Sequence, residues 1–441
     1  MNFNLIKFLS ISILLITISS INQWSYLPIG NTFFWWGIYA CILITFIKSR
    51  KIYYDKNNDR YIYVLKLYLA WNIISIIRGV FIADNYWEWK NLIGTGMVLL
   101  LPLSIYITTN KNIVQTILAN WIIFALPAFF LFLPSFKYAD AVGRYLVPIS
   151  FLLLCFPLLT NRWKIITIIF SLFVLLGDLS ARSNVLKFGV PLILSSLYYV
   201  RFFLPTKLFE VVRIIMMLVP IILFILGLSG TFNVFKMNEY ITGDYTTQSI
   251  KNGKISEENL TSDTRTFLYE EVISSAIKFD YILFGRSPAR GNESLSFGMY
   301  SLETLHTGKM ERFSNEVSIL NVFTWTGIIG VTLYFLIFYH ASYLAINKSN
   351  NTFLQIVGLC VSFRWIFAWI EDFSEFDLSY FFLWTMIGLC FSKSFREMNN
   401  KEIKYWVLGI FDKKYRKLTY KSKISNLTTN GETNSSTSYL S

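Results

Sequence analysis

What most limits the folds open to this chain is the recurrence of long apolar blocks, because about 20 residues rising 1.5 Å each cross a hydrocarbon layer of roughly 30 Å. Barrel strands would be about half that length and would alternate apolar with polar residues, so the blocks predict helices. Twelve blocks recur, over residues 5–22, 31–47, 61–82, 91–107, 113–134, 145–160, 165–182, 185–202, 210–229, 316–340, 353–370 and 379–392. Only 15% of the 441 residues are charged and 54% are hydrophobic, against about 25% charged in soluble domains. The fold class expected is an all-α polytopic membrane protein of about twelve transmembrane helices, with one large extracytoplasmic loop containing short helices. That expectation excludes a soluble enzyme, a nucleic-acid binder, a disulfide scaffold and a porin.

The formal net charge of +13 reads as topology. Lys48, Arg50, Lys51, Lys56, Arg60, Lys111, Arg162, Lys164, Arg201, Lys207 and Lys348 fall in connections on one side, joined by Lys393, Arg396, Lys401, Lys404, Lys413, Lys414, Arg416 and Lys417. The opposite short connections carry only Lys90, Lys137 and Arg144. The positive-inside rule then makes both termini cytoplasmic. The first block follows a single Lys7 and lacks a small-residue cleavage pattern, so it reads as a retained helix. Cys41, Cys155, Cys360 and Cys390 sit inside apolar blocks without metal or disulfide spacing.

Four regions follow: helices over 1–229, an extracytoplasmic loop subdomain over 230–315, further helices over 316–393, and a cytoplasmic interfacial helix with a disordered tail over 394–441. In the loop, Thr261, Ser262 or Asp263 can cap a helix with the apolar face Leu268, Val272, Ala276 and Phe279. In the last region, residues 403–418 interleave Tyr405, Trp406, Leu408, Ile410 and Phe411 with basic residues, as a helix lying on anionic lipid would. From Ser425 onward, Ser, Thr and Asn dominate.

Arginines gather where the hydrocarbon meets the exported side. Arg182 closes the seventh block and Arg265 opens the loop helix, where the helix dipole disfavours a cation by roughly 0.3–1 kcal/mol and invites an anion. Arg286 and Arg290 flank a Gly-bounded turn able to form an anion nest, and Arg312 precedes the tenth block. Guanidinium forks bind phosphate oxygens bidentately and stay charged, so the set suits a lipid diphosphate; pairing with loop carboxylates or snorkelling to headgroups is the bland alternative. Arg78 and Arg364, inside the third and eleventh blocks, are further candidates. Glu371, Asp372, Glu375 and Asp377 could hold a hard cation or could be solvated loop acids; the reading taken is no metal and no cofactor.

The order of these features resembles the superfamily of O-antigen ligases and O-antigen or capsule repeat-unit polymerases. The likeness runs from Arg182 through Asp263-Thr264-Arg265-Thr266-Phe267-Leu268-Tyr269 and Ile282-Leu283-Phe284-Gly285-Arg286. It ends in Asn315-Glu316-Val317-Ser318-Ile319-Leu320 and Trp325-Thr326-Gly327-Ile328-Ile329-Gly330. The resemblance implies a metal-independent membrane glycosyltransferase of the bacterial plasma (inner) membrane, working on undecaprenyl-diphosphate-linked glycans among membrane lipids. It leaves room for a chain-length regulator and a flippase as partners, and none for nucleic acid. By position, Arg182 and Arg265 match the paired arginines that hold the diphosphate, and Arg286 lies in the Gly-containing turn.

Ligases typically carry a histidine before the asparagine that opens the next helix. Ser314 stands there, which favours a polymerase over a ligase. His306 and Glu316 are then the nearest candidates for the catalytic base. The reaction expected is inverting displacement at an anomeric carbon, most of the catalysis coming from neutralising the leaving diphosphate and aligning the attacking hydroxyl. A lipid-linked-oligosaccharide flippase, a metal-dependent transferase and a non-catalytic scaffold remain alternatives.

Overall fold

The computed structural model describes residues 3–54, 60–137, 140–177, 182–240, 246–251, 254–259 and 263–417. Thr261, Ser262, Asp178 and the tail from Ser425 onward lie outside the described residues.

Helices dominate. In chain order they are α1 (Phe3–Asn22), α2 (Thr32–Tyr53), α3 (Tyr63–Val80), α4 (Tyr86–Leu100) continuing through a tight turn into α5 (Ile105–Thr108), and α6 (Lys111–Asn120) continuing through the π-turn Trp121–Ala125 into α7 (Leu126–Phe132). Then come α8 (Asp140–Tyr145), α9 (Val147–Leu154), α10 (Asn161–Gly177), α11 (Arg182–Ser196) and α12 (Thr206–Leu228). After α12 an antiparallel hairpin, β1 (Thr246–Lys251) with β2 (Lys254–Asn259), precedes α13 (Thr266–Lys278) and a short antiparallel ribbon, β3 (Asn292–Glu293) with β4 (Glu311–Arg312). The chain ends in α14 (Ser318–Asn347), α15 (Thr352–Phe367), α16 (Leu378–Phe391), α17 (Lys393–Arg396) and α18 (Asn400–Phe411).

Many starts are written locally. Asn31, Asn85, Asn110, Asn351, Asp377 and Asn399 each accept a backbone N–H of the first turn of the helix that follows, satisfying donors a helix cannot satisfy itself.

Among the described residues, seven helical stretches are long and apolar enough to cross a membrane: Leu5–Asn22, Thr32–Tyr53, Tyr63–Val80, Tyr86–Thr108, Lys111–Ser135, Thr206–Leu228 and Ser318–Asn347. The blocks expected over 145–160, 165–182, 185–202, 353–370 and 379–392 form the shorter helices α9, α10, α11, α15 and α16. All fourteen residues of α16 are buried, as in a helix apolar all round that lies inside a protein, and it packs against α1, α5, α9, α14 and α15. Conversely, α12 turns Val211, Ile215, Leu218, Ile222, Ile225 and Leu228 outward.

The helix ends sort into two layers. In one, Arg50 of α2 lies 4.2 Å over the Tyr106 ring, Lys111 reaches the Ser394 carbonyl at 3.4 Å, Trp163 packs on Phe411 at 4.3 Å, and Asn350 donates to the Arg396 carbonyl. In the other, α1 meets the 376–378 segment through Ser19 and Ser20, Asn184 at the start of α11 bonds Asp140, and the 281–290 turn meets Arg78 and Asn91. The amphipathic 403–418 pattern resolves differently from the expectation of a lipid-lying helix. The apolar face of α18 (Ile403, Trp406, Val407, Ile410) is buried against protein, where Gln115 donates to the Trp406 carbonyl at 2.6 Å and Trp406 Nε1 donates to the Lys111 carbonyl at 2.9 Å.

Candidate functional site

The site is assembled where α13, α14 and the 370–377 segment meet. One carboxylate oxygen of Asp263 accepts the amides of Arg265 and Thr266, both at 3.0 Å, and so holds the start of α13. Burial raises its pKa, but bonds from the Thr266 hydroxyl and these two amides outweigh that and hold it below the usual carboxylate range. Leu268, Val272 and Ala276 are buried as the spacing predicts, whereas Phe279 is 42% exposed and lies 4.1 Å beneath the Arg286 guanidinium. Tyr269 Oη donates to the Trp369 carbonyl at 2.6 Å, pinning α13 to the end of α15.

Arg265 is thereby aimed at the α14 entry. Its Nε donates to the Ile370 carbonyl at 3.1 Å, Nη1 to Glu316 at 2.7 Å, and Nη2 approaches Glu371 at 3.5 Å. Arg312 reaches the same Glu316 carboxylate at 3.3 Å, stacks over the Phe297 ring at 4.1 Å, and keeps a buried Nη1 with no partner among the described residues. Glu316 is thus a half-exposed anion between two guanidiniums. The entry strand is fixed by Asn321, which accepts the Asn315 amide at 2.6 Å and donates to its carbonyl at 2.9 Å. The first amides of α14, Ser318 and Ile319, donate to the Glu371 and Ala368 carbonyls, so the end of α15 caps the start of α14.

Arg286 and Arg290 do not join this pair. Arg286 Nη2 lies 3.0 Å from Glu311 and its Nη1 donates to the Gly291 carbonyl at 2.7 Å. Arg290 grips both Glu311 oxygens and lies 3.7 Å from Glu88, which is itself buried and bound by Lys309 at 2.5 Å. Successive strand residues face opposite sides, so adjacent Glu311 and Arg312 of β4 collect different partners: Arg286 and Arg290 on Glu311, and on Arg312 the Glu316 carboxylate that Arg265 also holds.

Arg78 donates to the Phe284 and Gly285 carbonyls at 2.6 and 3.0 Å and holds the turn. Arg364 is buried in the bundle, donating to Ser379 Oγ at 3.0 Å. His306 is exposed in a left-handed backbone (φ 51°), and no contact joins it to Arg265, Arg312 or Glu316 among the described residues. Arg182 opens α11, whose next turn reaches Asp140 through Asn184; its side chain lies outside the described set.

The acidic stretch is dispersed. Asp372 accepts from Ser318 and Ser374, Glu375 pairs with Arg144 at 3.0 Å, Asp377 caps α16, and Glu371 faces Arg265. Burial raises the Glu371 carboxyl above its ordinary value, outweighing Arg265 and Lys187, and burial with the nearby Glu375 pushes Asp377 up to about 7. Beside Arg265 a cavity of about 540 Å³ opens between α12, α13 and the end of α15, lined by Leu223, Phe224, Lys236, Thr266, Tyr269 and Ile370.

Glu371, Glu311 and Glu88 escaped the sequence reading as partners of the arginines, as did Lys309 as a second cation on Glu88. Glu88 carried a visible signal, an acid three residues after the cap Asn85, but that pattern speaks of capping alone. No family model matches the chain, and no curated protein and no solved structure matches it either.

Proposed function

We propose that the chain is a membrane glycosyltransferase that polymerises undecaprenyl-diphosphate-linked oligosaccharide repeat units by metal-independent inverting transfer. In this reading it spans a bacterial plasma membrane twelve times, with both termini cytoplasmic and the 230–315 segment outside. One observation carries the reading: Arg265 and Arg312 converge on a single exchangeable carboxylate, Glu316, with an Arg312 Nη1 donor still open, beside an apolar-walled cavity at the helix ends.

The Glu316 carboxylate occupies the position a phosphate would take. When diphosphate replaces it, both guanidiniums face the oxygen that gains charge as the glycosidic bond breaks, and the cavity along α12 receives the lipid. The acceptor hydroxyl forms the new bond to the anomeric carbon, the bonding pair leaves with diphosphate, and the hydroxyl proton passes to a carboxylate. Glu371 suits that last role: it lies 3.5 Å from Arg265, and a carboxyl raised by burial is the better proton acceptor near neutral pH. Ser314, standing where ligases carry histidine, favours a polymerase over a ligase.

The test is complementation of a deletion strain with Arg265→Ala and Arg312→Ala. Removing one contact to the leaving group's charge costs about 2.7–4 kcal/mol, so long-chain glycan falls by roughly 10²–10³-fold while membrane levels of the protein hold. Long chains persisting in both variants would overturn the assignment. Full-length polymer accumulating unattached in the deletion strain would assign a ligase instead.

A further inference from the structure

Two cations line the inside of the helix bundle without a carboxylate in ion-pair contact with either, Arg364 buried and Lys187 partly buried. Lys187 of α11 and Arg364 of α15 line one small cavity between α9, α11, α15 and α16. Arg364 is 7% exposed; Nη2 donates to Ser379 Oγ at 3.0 Å, the guanidinium lies 4.2 Å from the Phe373 ring and 5.2 Å from that of Phe367, and Nε is buried with no partner. Lys187 Nζ has Ser183 Oγ at 3.3 Å and the Phe367 ring at 6.0 Å. Among the described residues no carboxylate comes within 4.0 Å of either cation: Asp140, Glu375 and Asp377 make their ion pairs with Arg144 and Glu371 makes its with Arg265, so Asp140 and Glu371 act on Lys187, and Asp377 on Arg364, only from beyond contact.

Burying an unpaired cation such as Arg364 is strongly unfavourable, and the partly buried Lys187 on the same cavity adds repulsion. Aromatic rings attract a guanidinium through its flat faces but leave its in-plane N–H groups unsatisfied, and Arg364 Nε is such a group. The missing partner is therefore negative and small. The cavity holds about 30 Å³ on the measure by which one water needs roughly 10–15 Å³, which leaves space for a single halide-sized ion and none for a diphosphate or a sugar.

We propose that this cavity binds one chloride ion between Lys187 and Arg364. The site stands apart from Arg265 and Arg312 and does not depend on the glycosyltransferase reading. By joining α11 to α15, the ion fixes the helix that Arg182 opens against the segment leading to Glu371 and Asp377.

The experiment is thermal unfolding of the full chain in detergent at constant ionic strength, with sodium chloride exchanged for sodium gluconate. The midpoint rises with chloride and keeps rising with its logarithm above the dissociation constant, as for any ligand that binds the folded state alone. Bromide substitutes for chloride, and Lys187→Met and Arg364→Gln remove the dependence. Should either variant fail to fold, a bromide-soaked crystal of the unaltered chain decides through its anomalous signal, with a peak expected in the cavity. Equal midpoints in the two salts, a halide response surviving both substitutions, or no bromide in the cavity would each overturn the proposal.

Discussion

Two glutamates, Glu311 in the β3–β4 ribbon and Glu316 in the segment that leads from it into α14, behave oppositely, and the difference is burial. Glu311, buried against Arg286 and Arg290, is a structural counterion, because removing it would strand two partly buried guanidiniums. Glu316 is 53% exposed and bridges Arg265 and Arg312 where water competes, so its pairing is weak enough for a ligand to displace. A third carboxyl, Asp377, reports on the same layer through pH. Its folded pKa of about 7 lies above the roughly 3.9 of an unfolded aspartate, so the folded state holds the proton more tightly. This contribution favours the fold at low pH and is progressively lost as pH rises from about 4 to 7, after which the ionised group is fully penalised. Asp377→Asn keeps a side-chain oxygen to cap Tyr380 but cannot ionise. The melting temperature of the parent should fall below that of the variant by a few degrees as pH rises through this window. Parallel curves for the two proteins would contradict the assignment.

At the scale of elements, the 281–286 turn is plugged into a break in α14. Gly327 has φ 68° inside the helix, and the ladder freed there is completed from outside: Ile328 N donates to the Ile282 carbonyl at 2.9 Å and Arg286 N to the Thr324 carbonyl at 2.7 Å. Gly285, at φ 72°, crosses so closely that a Cβ on it would sit 2.4 Å from Gly327 N, and one on Gly327 would sit 2.3 Å from the Leu283 carbonyl oxygen. Neither position accepts a side chain, so Gly285→Ala and Gly327→Ala should each lower the melting temperature and the monodisperse yield. Gly94→Ala, in a helix with open space around it, should be neutral or raise stability by up to about 1 kcal/mol. Tolerance at 285 or 327 equal to that at 94 would mean the turn is not docked. The sequence displayed both glycine-bearing motifs and the blocks of α3 and α14, since each depends on local spacing. It did not display that the motifs touch, because their contact joins stretches some forty positions apart through backbone atoms that no pattern encodes. The same limit explains the arginines: a two-residue strand is too short for alternation to be read, so the split between the partners of Glu311 and those of Arg312 became visible only in three dimensions. The amphipathic face of α18 was legible too, while its partner, α6, was not.

For the whole molecule, the decisive regularity is that charge sorts by layer. The ends carrying Arg50, Lys111, Lys348 and Arg396 meet one another and α18, whereas Arg78 meets the 281–290 turn and Arg144 and Arg364 meet the 375–379 stretch. Between the layers, α3 and α12 expose Ile74, Ile77, Ile215 and Ile222, which water would not favour and acyl chains would. In the proposed reading the positive-inside bias puts the first layer in the cytoplasm and the site on the outer face. The absolute orientation is testable with single cysteines at exposed positions in each layer, Ser296→Cys beside β3 and Lys414→Cys beyond α18. Cys155, Cys360 and Cys390 are buried, and Cys41, in the middle of α2, is changed to Ala as background. A membrane-impermeant maleimide should label the cysteine at 296 in intact spheroplasts, and the one at 414 only after the membrane is opened. The reverse pattern would turn the molecule over and put Arg265 and Arg312 in the cytoplasm, where no glycan exported on its lipid could reach them. Labelling of both without opening the membrane would mean that the two layers do not lie on opposite sides of a bilayer at all.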